Sequence, residues 1–163
     1  MAATRLPSPI GELVITASDS GLTCVWFPGK GPVTAARPDD ERGPASALLA
    51  RASEQLAQYF AGTRTTFDLP LDAPGTAFQR RVWDVLRTIS YGSTLSYSDL
   101  ARRLGDVRLT RAVGAANGKN PIPIIVPCHR VVGANGALTG FGGGLDRKRW
   151  LLEHEGALMM LGS

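Results

Sequence analysis

Sulfur and imidazole are scarce in this chain: Cys24 and Cys128, His129 and His154 are all it has. Four such side chains, scattered as they are, exclude a zinc centre built on cysteine and histidine, and no metal is expected. They also argue against a disulfide framework. Two isolated cysteines in an intracellular chain are ordinarily free thiols rather than a Cys24–Cys128 bridge. No apolar run approaches the ~18 residues of a membrane span. The first residues, Met-Ala-Ala-Thr-Arg-Leu-Pro-Ser-Pro, lack the apolar core of a secretion signal. The expected location is therefore the cytoplasm, at the nucleoid if the source is bacterial. Neither a phosphate-binding P-loop nor a dinucleotide fingerprint occurs, so no nucleotide cofactor is expected. No internal repeat is visible.

What is present is a soluble composition, 44% apolar and 20% charged over 163 residues. That length fits one domain or two small subdomains and buries roughly 70% of the unfolded chain's surface. Charge is uneven. Residues 1–70 hold six Lys/Arg against seven Asp/Glu, and residues 71–163 hold twelve against seven. The basic half, mostly arginine, suits a polyanion, nucleic acid first, though a merely basic soluble domain fits as well.

The first half reads as a hairpin, 13–16 and 22–27, turning at Asp19-Ser-Gly21, with Cys24 as a small buried strand residue. A Gly/Pro-rich loop over 28–44 follows. Leu48, Leu49, Ala52, Leu56, Tyr59 and Phe60 mark a helix over 45–61 ended by Gly62. A short strand is expected at 65–69, and a boundary at 70–75. The second half is mainly helical. Phe78, Val82, Val85, Leu86 and Ile89 form one stripe. Ser96 caps a helix through Leu104 with Asp99 at its third position, and Thr110 caps another over 111–118. Two short helices joined by a tight turn have helix-turn-helix spacing. Prolines 121, 123 and 127 predict an extended segment over 121–126. A last helix spans 146–155, stopped by Gly156.

Chemistry concentrates in three places. Cys128 ends that segment with His129 and Arg130 directly after it. A free thiol titrates near ~8.5, so nucleophilic use needs a base or a positive field. Neighbouring side chains on extended backbone point apart, so a Cys–His partnership requires a turn or a bridging water. A buried structural cysteine beside a core histidine is the alternative. The second place is the run Leu109-Thr-Arg-Ala-Val-Gly-Ala-Ala-Asn-Gly, unusually small for a helix. Gly114 costs ~1 kcal/mol relative to alanine there and calls for a packing or functional reason. Its small face suits close helix packing, or entry into a minor groove ~6 Å wide with Arg111 leading. The third is Thr139-Gly-Phe-Gly-Gly-Gly, either a loop that lets backbone approach a ligand or a surface turn.

Together with Phe78-Gln-Arg-Arg-Val-Trp, Tyr91-Gly, Ser96-Tyr, Arg111-Ala-Val-Gly, Asn120-Pro, Pro127-Cys-His-Arg-Val and Trp150-Leu-Leu-Glu-His-Glu-Gly, these residues resemble the O6-alkylguanine-DNA alkyltransferases, strongly over 76–156 and more weakly before. The resemblance implies an α/β (α+β) fold. A small ribonuclease-H-like lobe would span 1–72, and a mostly helical domain with a helix-turn-helix, 76–163, would bind DNA and accept the alkyl group. It implies direct-reversal repair: O6-alkylguanine is flipped from double-stranded DNA and its alkyl group moves irreversibly to Cys128, one turnover per molecule, with no cofactor. Binding would be through the minor groove without strong sequence preference, by a monomer, with cooperative assembly left open.

By the same resemblance His129 deprotonates Cys128 through a water, Glu155 orients and charges His129, and Asn120 braces the preceding turn. Tyr97 contacts the DNA backbone and donates a proton to the purine. Arg111 fills the gap left by the flipped nucleotide, above a DNA-facing surface of Ala112, Gly114, Ala115 and Gly118. The carbonyls of Cys128 and Val131 would meet the guanine amino group. Phe141, Gly142 and Lys148 complete the pocket. Many members carry tyrosine where Phe141 stands and some carry serine at Gly142; Phe141 keeps a stacking face without the hydroxyl that could contact the leaving oxygen, and the backbone N–H of Gly142 remains for that contact. Two rivals share features: a cysteine hydrolase, which turns over many times, and a helix-turn-helix regulator, whose recognition helix would carry base-reading side chains instead of alanine and glycine.

Overall fold

The computed structural model describes residues 2–31 and 43–157. The chain divides between Pro74 and Gly75 into two compact units.

In the first unit β1 (Ala2–Leu6), β2 (Leu13–Ala17) and β3 (Leu22–Trp26) form an antiparallel sheet in that order. All five residues of β2 are buried, as befits the central strand. The β2–β3 hairpin is the expected one, closed by Ser18 N–H to Gly21 O at 2.9 Å. The helix α1 (Pro44–Phe60) begins on a proline, whose missing N–H costs nothing at that position. It packs Leu48, Leu49, Ala52, Leu56 and Tyr59 inward and touches all three strands.

Three expectations are corrected here. β1 was not foreseen. Residues 65–69 are not a strand: the Gln55 side chain takes the Asp68 backbone instead, donating to its carbonyl at 3.1 Å and accepting from its N–H at 2.9 Å. Just beyond it, an isolated bridge pairs Leu71 with Leu22 of β3. Cys24 is half-buried, not buried, and free; partial burial raises its thiol pKa against a hydrogen bond from Thr16. Of the expected loop over 28–44, residues 32–42 lie outside the described residues.

In the second unit α2 (Ala77–Leu86) starts with a reciprocal cap between Thr76 and Gln79. Val82, Trp83 and Leu86 are its buried residues. Trp83, absent from the expected stripe, displaces Val85, which is only half-buried. Its indole N–H donates to Ala116 O at 2.9 Å. β4 (Leu95–Ser96) pairs in parallel with β5 (Val131–Val132). The helix α3 (Tyr97–Arg103) is capped by Ser96 as expected; Asp99 pairs with Arg102 at 2.9 Å instead of closing a capping box. A 3-10 turn, Val107–Leu109, capped by Asp106, leads into α4 (Thr110–Gly118). Thr110 is not the cap. It lies inside the helix and spends its hydroxyl on Val107 O at 2.6 Å. The helix α5 (Leu145–His154) closes at Gly156.

The sharpest correction concerns 121–126. It is a tight turn, not extended chain: Val126 N–H returns to Ile122 O at 2.9 Å, and Ile124 adopts φ +74°. For a β-branched residue that conformation is costly and persists only where surroundings impose it. Asn120 imposes it, donating to Val126 O at 2.8 Å and accepting from Ile122 N–H at 3.0 Å.

Candidate active site

That turn delivers Pro127 and then a 3-10 turn, Cys128–Arg130, with all three side chains buried. The turn removes the geometric objection that extended backbone raised. His129 points into the protein toward the end of α5, where its Nε2 meets Glu155 Oε2 at 2.8 Å. Glu155 ionises below the ordinary carboxylate range, so Nε2 carries the proton and Nδ1 keeps its lone pair. Nδ1 is buried with no hydrogen-bond partner among the described residues. A buried ring nitrogen left this way is costly, and a catalytic role is one reason for a fold to tolerate it.

Glu155 is the electrostatic hub. Arg130 Nε donates to its Oε1 at 2.8 Å and Nη2 to its Oε2 at 3.0 Å. Burial alone would raise the carboxyl, but His129 and Arg130 outweigh it and hold the pKa at about 2. Arg130 also donates to Ile89 O at 2.6 Å and lies 5.7 Å from the Tyr91 ring centre. The Tyr91 hydroxyl in turn donates to His154 O at 3.3 Å. Gly92, at φ +82°, completes this corner: a Cβ there would sit 3.2 Å from Glu155 O. Burial lowers the His129 pKa from 6.5 despite Glu155, so the imidazole is neutral at pH 7.

Burial also dominates the thiol. It pushes Cys128 up to about 11, against smaller help from Asn120 and the Lys148 charge. At pH 7 roughly one molecule in ten thousand would then be thiolate unaided, so any nucleophilic use of the group requires a base. Lys148 is fully buried. Its Nζ donates to Val131 O at 2.7 Å and Thr139 O at 2.6 Å. Burial lowers it to about 8, with Cys128 pulling the other way.

Of the expected site residues, Cys128, His129, Glu155, Asn120, Lys148 and Val131 come together in this buried cluster. Both carbonyls expected to meet a guanine amino group already have partners, Val131 O with Lys148 and Cys128 O with Asn117 Nδ2 at 3.4 Å. The Cys128 carbonyl accepts from Val131 N–H as well, so both of its lone pairs are engaged. Tyr97 is half-buried at the start of α3, its hydroxyl on Thr139. Phe141 is half-buried and Gly142 exposed in the loop before α5. On α4 the exposed residues are Arg111, Ala112, Ala115 and Gly118, while Val113, Ala116 and Asn117 are buried and Gly114 is half-buried. One face is thus small and open at helical spacing, the other packed. The sequence reading missed Arg130, Asn117 and Thr139. Arg130 had a signal, a third polar residue in one buried apolar run; the other two had none.

Gly114 gains an answer. A Cβ there would lie 3.6 Å from Tyr97 Cδ1, an ordinary contact. Packing within the protein does not demand glycine. Gly114→Ala should therefore raise thermal stability, by up to ~1 kcal/mol of helix propensity. A simultaneous loss of affinity in a DNA-binding titration would place the glycine's purpose on the nucleic acid.

Comparison with known proteins accords with this geometry. Residues 1–73 match the family model for the ribonuclease-like domain of 6-O-methylguanine DNA methyltransferase, and residues 77–157 that for its DNA-binding domain. A methylated-DNA–protein-cysteine methyltransferase of Mycolicibacterium paratuberculosis is 49% identical over 150 residues, covering 91% of this chain and 88% of the relative. One from Methanosarcina acetivorans is 46% identical over 151 residues, covering 92% and 95%. The crystal structure of Mycobacterium tuberculosis OGT in complex with DNA superposes with a TM-score of 0.84 at 46% identity over 100% of both chains. The chain belongs to the 6-O-methylguanine DNA methyltransferase family.

Proposed function

We propose that this protein flips an O6-alkylguanine out of duplex DNA and transfers the alkyl group to Cys128 once and irreversibly. The activity class follows from membership of the family: DNA repair by alkyl transfer from methylated DNA to a protein cysteine. The observation that carries the assignment to Cys128 is the His129 ring, bonded to Glu155 through Nε2 and unpartnered at Nδ1, one residue from a buried thiol. Cys24 has no such neighbour among the described residues; Thr16 is its hydrogen-bond partner.

The steps follow from the groups present. The small face of α4 enters the minor groove, with Arg111 occupying the space of the extruded nucleotide and offsetting a few kcal/mol of lost stacking. Binding to phosphates needs no base reading, so it tolerates sequence and weakens with salt. Residues 1–72 serve as an accompanying lobe and 76–163 carry both DNA binding and chemistry. In the pocket, Nδ1 of His129 takes the thiol proton through a water, and Glu155, held in place by Arg130, stabilises the imidazolium that results. The sulfur attacks the alkyl carbon as the carbon–oxygen bond breaks. Tyr97 donates its proton to the leaving purine. Asn120 holds the turn that presents Cys128. Lys148, with Val131, Phe141 and Gly142, shapes the pocket and adds positive potential beside the forming thiolate.

The product is a thioether, which water does not cleave, and no cofactor is called on to regenerate the thiol. The protein acts as a monomer; no helix among the described residues is long and apolar enough to cross a membrane, which fits work on DNA in the cytoplasm or nucleoid. With lesion DNA in large excess, methyl groups transferred should plateau at one per chain. Continued transfer beyond that value favours a hydrolase-like cycle instead.

A further inference from the structure

We infer that Thr139 is a positioning residue for Tyr97, turning the phenol into an outward-facing proton donor. The inference rests on the proposed role of Tyr97. Thr139 touches the Tyr97 hydroxyl twice. Its Oγ1 donates to the Tyr97 oxygen at 3.2 Å, and the Tyr97 hydroxyl donates to the Thr139 carbonyl at 3.4 Å. The two contacts are unequal in kind. The first occupies a lone pair of the phenol oxygen. The second is a long, weak parking place for its proton. That carbonyl is moreover already taken by the buried ammonium of Lys148 at 2.6 Å, which drains its electron density. The proton of Tyr97 is thus loosely held while its oxygen is fixed by a donor.

When a purine leaves, the Tyr97 O–H bond breaks and an N–H bond forms on the base. The phenolate oxygen keeps the hydrogen bond from Thr139, which retains its own proton, and that bond strengthens as the oxygen gains charge. The same residue begins the glycine-rich loop. α5 clamps that loop at both ends, through Lys148 on Thr139 and through Arg147 Nη1 on Gly143 O at 2.9 Å. Tyr97, Thr139 and Phe141 are therefore set relative to one another from one helix. Thr139 is exposed, so changing its hydroxyl disturbs no core.

A double-mutant cycle in single-turnover transfer tests this, with lesion-DNA affinity and melting temperature measured alongside. Thr139→Val should slow transfer about tenfold, the scale of one hydrogen bond to a group acquiring charge, without changing affinity or melting. Thr139→Ser should restore the rate. In the Tyr97→Phe background Thr139→Val should add nothing. A substrate whose leaving base is a more stable anion should narrow the gap between Thr139→Val and the parent. Equal slowing by Thr139→Val in both backgrounds, or a rate unchanged when Tyr97→Phe alone is slow, overturns the inference and leaves the Tyr97 role standing. A Tyr97→Phe protein as fast as the parent removes that role itself, and the inference with it.

Discussion

Cys128→Ser is expected to abolish alkyl transfer, by more than about 10⁴-fold, as losing a covalent nucleophile ordinarily does. The reasoning is electrostatic. Even the thiol stands at about 11 in this pocket, raised by burial. A hydroxyl is a far weaker acid, and neither the neutral His129 nor the Lys148 charge compensates for the difference. Lesion-DNA affinity should change little, because the small face of α4 and Arg111 lie on the surface while Cys128 is buried. Stability should change little, since the buried hydroxyl keeps Asn120 as its hydrogen-bond partner. A transfer assay beside a binding titration separates the two outcomes. If affinity falls with activity, Cys128 holds the fold instead of performing the chemistry.

Glu155→Gln carries the second large effect. It removes the charge that anchors Arg130 and orients His129, with all three side chains buried. Breaking a buried pair while leaving its cation in place costs about 3–5 kcal/mol. Transfer should also slow by about 10²–10⁴-fold, because the base loses both its orientation and its charge partner. The pH dependence gives a signature that instability alone does not. Glu155 holds its carboxyl at about 2 against an ordinary 4.5. A lowered carboxylate stabilises the fold fully above its unfolded value and loses that contribution as pH falls from 4.5 toward 2. Acid unfolding in that window should therefore flatten in the variant. His129 is shifted downward from 6.5 by burial, with Glu155 opposing the shift. The acid limb of the transfer rate should consequently lie below pH 6.5 in the parent and lower still in Glu155→Gln. A limb that moves upward contradicts the relay.

How much of this was legible beforehand differs by element, for physical reasons. α1 and α2 announced themselves because their apolar residues recur at helical spacing, while α3 was readable from its Ser96 cap, and Gly62 and Gly156 mark the ends of α1 and α5. Strand β1 did not: Ala2, Ala3, Thr4 and Arg5 carry no alternation, and the strand exists because β2 offers it an edge. Residues 65–69 misled for the opposite reason. Their composition suits a strand, but Gln55 satisfies the Asp68 backbone from α1. The turn over 121–126 was invisible because prolines argue for extension and nothing local requires Ile124 at positive φ; the Asn120 side chain decides it. At the site, Cys128 and His129 were readable as neighbours. Their joint geometry was not, since it depends on a 3-10 turn and on Glu155, 26 residues away from His129. Arg130 and Thr139 matter through partners that only the folded chain supplies.

The central claim is that one buried sulfur, on Cys128, receives the alkyl group. Peptide mapping by mass spectrometry after mixing the protein with DNA carrying O6-methylguanine tests it most directly. One added methyl group is expected, on the peptide containing Cys128, with the Cys24 peptide unchanged. A methyl group on Cys24, or no adduct on either while the lesion disappears, would contradict it.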